Sequence, residues 1–166
     1  MIIREATTAD AESLAHVHVQ CWRETYGDIL PAAYLIDMSW QQRTEKWRKG
    51  LLEAKAPWKL YVAEEGGAIK GFAASGVSEK SDFDIKGELY VLYLLKEAQG
   101  QGLGRQLFEK GRHNLIVNGI KDMYLWVFKD NPALAFYQHM GGKECARQTV
   151  TIGGRDVEEI ALQWGV

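Results

Sequence analysis

The sequence predicts a mixed α/β fold, with a mostly antiparallel sheet, one parallel crossover and flanking helices. Three observations predict it. Alternating apolar runs meet at paired glycines, Gly66-Gly67 and Gly153-Gly154, which is the pattern of antiparallel hairpins. The apolar runs Gly87 to Leu95 and Met123 to Val127 are separated by a glycine-rich turn and an amphipathic segment, which reads as a βαβ unit. The front third repeats its apolar residues at helical spacing.

Each element has its own warrant. Ile2-Ile3-Arg4 is a short first strand. Thr7 with Asp10 forms a capping box that opens a helix to about Arg23, with Leu14, Val17 and Cys21 on its core face. The chain breaks at Gly27-Asp28, and Pro31 restarts a short helix. Ser39 with Gln42 caps another, running to about Leu52. Trp58 to Glu64 and Ile69 to Val77 are the strands of a hairpin, and polar Ser78 to Ile85 is a loop. After the βαβ unit, Asn131-Pro132 opens a short helix that ends at Gly141-Gly142. Thr149 to Ile152 and Val157 to Trp164 form the last hairpin.

Composition narrows the function classes. A chain of 166 residues, 46% hydrophobic and 25% charged, suits one soluble domain over residues 1–166. A net charge of -2 gives no reason to expect nucleic acid as partner. The start Met1-Ile2-Ile3-Arg4-Glu5 is charged at once, unlike a signal peptide, and no apolar run approaches membrane-spanning length. Cys21 and Cys145 lie far apart, so neither a disulfide framework nor a zinc site is expected, and a reducing cytoplasm is the expected location.

Gln99-Gly100-Gln101-Gly102-Leu103-Gly104-Arg105 carries the chemistry. Residues without side chains let backbone N–H groups converge where a helix begins, and there the dipole favours an anion. Two familiar phosphate motifs fail. Arg105 stands where a P-loop needs its second glycine, and again where a dinucleotide fingerprint needs its third. The glycines could serve only as a tight turn, but three are costly in chain entropy when one would do.

The stretch matches instead the Q/R-x-x-G-x-G/A turn of the GNAT (Gcn5-related) N-acetyltransferases, which this chain resembles over nearly its whole length. Glu88 to Glu97 resembles the family's strand before the turn. Trp126-Val127-Phe128-Lys129-Asp130-Asn131-Pro132, continuing through Ala135-Phe136-Tyr137 to Gly141-Gly142, resembles its second block. Trp22 to Pro31 resembles the front segment of small bacterial members.

The resemblance implies the GNAT fold, in which the parallel strand pair splays apart, and direct acetyl transfer from acetyl-CoA to an amine, with no metal. The diphosphate would rest on Gln99, Gly100, Gln101, Gly102, Leu103, Gly104 and Arg105, with the Arg105 side chain either adding its charge or facing solvent. The pantetheine arm would pair with Leu92, Tyr93 and Leu94, and an N–H near Leu94 would polarise the thioester carbonyl. Asn131 would hydrogen-bond that arm, or simply cap the following helix. Tyr137 stands at the usual position of the acid that protonates the thiolate. As a plain structural residue it would be a half-buried aromatic beside Phe136.

An alkylammonium has a pKa near 10.4, so direct attack needs a base. Glu88 is the candidate, relaying through water, because it interrupts an apolar strand. Strand alternation puts it on the same face as Leu94, six residues on. It could also be a solvated charge at the strand's start. Trp22, Tyr26 and Asp28, with Trp40, Asp82 and Asp84, offer an aromatic and acidic rim for a small cationic acceptor such as a polyamine or amino compound. The tryptophans could equally just bury their helices. Protein N-termini or lysines as acceptors, and a CoA-binding module without catalysis, are the other readings, and a homodimer through an edge strand or the last hairpin is open. His16 and His18 point to different faces and make a poor metal pair, and Cys21 belongs to the core.

Overall fold

A computed structural model describes residues 1–80 and 83–165. Its strands are β1 (Ile2–Glu5), β2 (Lys59–Glu65), β3 (Ala68–Val77), β4 (Gly87–Leu94), β5 (Met123–Phe128), β6 (Lys143–Ile152) and β7 (Arg155–Trp164). They form one seven-stranded sheet in the order β1-β2-β3-β4-β5-β7-β6. Every neighbouring pair is antiparallel except β4 with β5. The helices are α1 (Ala11–Thr25), α2 (Ala32–Ile36), α3 (Trp40–Glu53), α4 (Leu103–Val117) and α5 (Ala133–His139). Among the described residues no helix is long and apolar enough to cross a membrane.

The expected mixed sheet is present, and the differences are local. The Thr7–Asp10 box exists, with the Thr7 N–H donating to Asp10 Oδ2 at 2.7 Å, but it opens a 3₁₀ turn, Thr8–Asp10, that runs into α1. The Arg4 guanidinium meets both oxygens of Asp10 at 2.9 Å and holds that carboxyl below its usual range. Strand β6 begins at Lys143, well before Thr149. Its first half is mostly exposed and charged, so it lacks the apolar alternation that marks a strand, and pairing with β7 defines it.

Helices α4 and α5 cover one face of the sheet, where Leu103, Leu107, Phe108 and Tyr137 pack with Leu89, Leu125, Leu162 and Trp164. On the other face α1 and α3 lie over β2, β3 and β4, through Leu14, Val17, Cys21 and Trp47 against Leu60, Val62 and Phe72. The end of α1, the following loop and α2 pack over β5 and β7, where Tyr26, Leu30 and Leu35 meet Phe128 and Val157. Helix α1 therefore spans the boundary between β4 and β5. Full burial of each large apolar side chain contributes roughly 1.5–3 kcal/mol, so these clusters fix the splay from both faces.

That splay comes from the register. Strand β4 pairs with β5 only at Gly87↔Met123 and Glu88↔Tyr124. A Cβ on Gly87 would sit 2.5 Å from the Asp122 carbonyl oxygen, so glycine permits the close approach where the strands do meet. Beyond Glu88, β5 stays paired with β7 through Phe128, while β4 follows β3 to Leu94. The edge of β4 from Leu89 to Leu94 is thus left open.

One expectation is overturned. The β3–β4 register pairs Ser75 with Leu89 and Ala74 with Val91, so Tyr90 is an extra residue, a β-bulge. Leu89, Leu92 and Leu94 all face the α4 side, while Val91 and Tyr93 face α1. Glu88, on the face opposite Leu89, therefore lies across the sheet from Leu94. Simple alternation fails because the bulge resets it.

Candidate active site

The glycine turn closes the end of β4 onto α4. Gly100 and Gly102 have φ of +75° and +79°, and a Cβ at either would meet nothing within 4 Å, so both conformations require glycine while the space before them is open. Gln99 Nε2 donates to the Leu94 carbonyl at 3.1 Å, and Gln101 Nε2 to the Glu97 carbonyl at 3.2 Å, which ties the loop to the strand end. The first backbone N–H bonded into the helix is that of Gln106, to the Gly102 carbonyl at 3.1 Å. Among the described residues, the N–H groups from Gly100 to Arg105 make no hydrogen bond, and no side chain caps the helix. A run of unpaired donors on a positive dipole end is a cradle for an anion. The Arg105 side chain is exposed on the first turn of α4.

Beside the cradle lies the open edge. The Leu95 N–H donates to the Lys70 carbonyl on β3 at 2.9 Å. Successive N–H groups of a strand alternate in direction, so those of Leu94 and Leu92 point out of the open edge. Cys21 on α1 sets its sulfur against the Leu94 N–H, and burial pushes its thiol up to about 12. At that value it is inert as a nucleophile near neutral pH.

Glu88 sits at the last paired position before the splay. The Tyr124 hydroxyl donates to its Oε2 at 3.1 Å and shares a 2.6 Å hydrogen bond with Ser78 Oγ. Burial raises the Glu88 carboxyl above its ordinary value, and hydrogen bonds from Tyr124 and Ser78 partly offset this. A half-buried carboxylate with a raised pKa is suited to proton transfer.

Tyr137 comes from α5 on the opposite face and is 7% exposed. Burial pushes its phenol well above the usual tyrosine range, with a further contribution from Tyr93. It packs between Phe136 and Trp164, at ring distances of 5.2 and 6.4 Å. Asn131 uses Oδ1 to accept from the Ala133 N–H at 2.8 Å, which caps α5, and turns Nδ2 to the Tyr26 hydroxyl at 3.4 Å. Tyr26 is buried, and its own upward shift includes contributions from Tyr93, Tyr137 and Cys21. These side chains from α1, β4 and α5 therefore share one electrostatic neighbourhood in the splay.

Aromatic rings bridge the gap between the strands. Tyr93 on β4 is 4.9 Å from His18, His18 is 5.6 Å from Trp22, Trp22 is 5.0 Å from Tyr26, and Tyr26 is 5.1 Å from Phe128 on β5. Trp22 and Tyr26 thus span the gap between β4 and β5 as well as packing α1. Asp28 and Asp84 are exposed on loops, and Asp82 lies outside the described residues. Sequence reasoning missed Tyr124, Ser78 and His18 as site residues. Only the parallel register sets Tyr124 opposite Glu88, and no local pattern in the chain announces it.

Comparison with known proteins agrees with this architecture. The acetyltransferase (GNAT) family matches residues 16–142. An uncharacterized N-acetyltransferase of Bacillus subtilis, YuaI, is 38% identical over 163 residues, covering 98% of this chain and 91% of its own. Among solved structures, the ribosomal-protein-alanine N-acetyltransferase of Brucella melitensis superposes with a TM-score of 0.75 at 20% identity, covering all of both chains. The acetyltransferase yncA of Salmonella typhimurium, solved with acetyl-CoA, gives 0.72 at 20% identity over 99% of this chain and 93% of its own. The family match and the fold place the chain in an acetyltransferase class. The chain belongs to the GNAT family of N-acetyltransferases.

Proposed function

We propose that the chain transfers the acetyl group of acetyl-CoA to the primary amine of a small molecule. The observation that carries this reading is the run of unpaired N–H groups from Gly100 to Arg105 beside the open edge of β4. That cradle fits a diphosphate, and the outward N–H groups of Leu92 and Leu94 fit the amides of an extended arm. Acetyl-CoA supplies the activated acyl thioester.

The chain's own residues divide the remaining work. The Leu94 N–H stabilises the developing oxyanion, and one such donor contributes about 3–4 kcal/mol in a transition state. Glu88 accepts the ammonium proton through water. The neutral nitrogen bonds to the carbonyl carbon as the C–S bond breaks, and Tyr137 gives its proton to the departing sulfur. The nitrogen sheds its second proton to solvent as the amide forms, and solvent returns a proton to the Tyr137 phenolate. The burial that raises Tyr137 keeps it protonated as a donor. It also raises the basicity of a thiolate formed in the same dry space. Acid and base lie on opposite faces of the sheet, so donor and acceptor approach from opposite sides of the splay.

The test is release of free thiol from acetyl-CoA over a panel of amines and peptides, with binding of CoA followed by calorimetry. Release with small amines is the expected result. Binding of CoA without release above background for any acceptor overturns the reading.

A further inference from the structure

Among the described residues, the buried side-chain polar atoms without a hydrogen-bond partner are Nδ1 and Nε2 of His18 and Nε1 of Trp22. All three belong to one cluster. His18 is 5% exposed and lies within ring contact of Trp22, Trp47 and Tyr93. The Trp22 N–H faces the Tyr93 hydroxyl. A buried polar atom without a partner costs free energy that a ligand can restore, and an imidazole with neither nitrogen bonded, beside the Trp22 indole, calls for one.

The charge around the cluster indicates what kind. The Arg43 guanidinium of α3 stands 5.9 Å over the Trp22 ring, and among the described residues it makes no ion pair. The charges felt at His18 are those of Arg43 and Lys46, both positive. The indole and guanidinium groups can only donate, and a neutral imidazole donates from one nitrogen. Trp22, Arg43, Trp47 and Tyr93 are half-buried, so the cluster has an approach from outside. Such a place repels a second ammonium and suits an oxyanion.

We propose that His18, Trp22, Tyr93 and Arg43 form the subsite that anchors the acceptor, and that it takes a carboxylate carried on the same molecule as the reacting amine. The acceptor is then an amino acid or a similar amino carboxylate, not a polyamine. This rests on the acetyl-transfer reading and narrows it. Tyr93 precedes Leu94 on the strand, so an anchored carboxylate leaves the amine a short chain away from the carbonyl-polarising N–H.

The experiment compares amino acids, plain alkylamines of matched length and the matching diamines as acceptors, for the wild type and Arg43→Gln. The wild type should favour an amino acid by about tenfold or more in kcat/KM. Arg43→Gln should remove that preference through KM and leave the alkylamine rate within about twofold. Equal use of alkylamines or diamines by the wild type overturns the proposal, as does an equal loss for both acceptor types in the variant. Calorimetry of CoA-loaded protein with amino carboxylates gives a readout apart from activity. Saturable binding weakened by Arg43→Gln supports the subsite, and absence of binding overturns it. If no acceptor is acetylated, the acetyl-transfer reading fails separately and the calorimetry alone decides the anchor.

Discussion

Tyr124 of β5 donates its hydroxyl proton to Oε2 of Glu88 on β4 across the last rung of the parallel ladder. The same rung where the strands part therefore holds the candidate base. Tyr124 is buried, so its hydroxyl is fixed by packing and constrains the carboxylate in turn.

Removing that proton donor should move a pH profile. On the proposed mechanism Glu88 acts in its ionised form, so kcat/KM should fall as pH drops through its raised pKa. The Tyr124 hydrogen bond favours the charged form and keeps the pKa lower than burial alone would. Tyr124→Phe should thus shift the acid limb to higher pH, because it deletes a hydrogen bond to the charged form. The rate well above the limb should change little. An unmoved limb would remove Glu88 as the group being titrated.

Glu88→Gln separates catalysis from stability. The variant should lose about 10²–10⁴ in kcat. The fold raises the Glu88 pKa, so its contribution to stability is full below the ordinary carboxylate value and is lost as pH rises through the folded one. At pH 8 the uncharged glutamine should therefore melt higher than the wild type. A lower melting temperature would make Glu88 a structural partner of Tyr124.

Tyr137→Phe keeps the ring contacts with Phe136 and Trp164 and deletes only the proton. It should lower kcat at saturating substrates by about 10²-fold while CoA affinity by calorimetry is preserved. Unchanged turnover would take Tyr137 out of the acid role.

Much of this was legible in the chain because it is written locally. The hairpin glycines, the caps and the Gln99–Arg105 turn are short-range patterns, and the structure bears out the mixed sheet. What was not legible needed two distant strands at once. The bulge at Tyr90 exists only in the β3–β4 register, and it places Glu88 across the sheet from Leu94. Tyr124 reaches Glu88 from 36 positions away, and His18 meets Tyr93 only across two elements, with no periodicity to mark them. His18 was legible as a poor metal ligand, but its burial among three aromatic rings was not.

Gly102 tests the cradle. Its φ of +79° disfavours any side chain, so Gly102→Ala should cost about 1 kcal/mol in urea unfolding even though a methyl meets no atom within 4 Å. Gly102→Glu adds bulk and negative charge where the anion would rest, and should abolish CoA binding by calorimetry. Retained binding would place the diphosphate elsewhere.

His18 should make stability fall in acid. Burial, with Arg43 and Lys46 nearby, depresses its pKa from 6.5 to about 3 in the folded state. The unfolded chain therefore takes up a proton near pH 6.5 that the folded chain refuses. The stability this represents is fully present above that pH and is lost as pH falls toward the folded value, at about 1.4 kcal/mol per unit. Between pH 8 and pH 5 the wild type should lose about 2 kcal/mol more than His18→Phe in urea unfolding, the phenyl ring having no proton to bind. A difference that stays flat over that range would mean the folded imidazole accepts the proton, and that the cluster around Trp22 and Tyr93 opens to water before the rest of the domain unfolds.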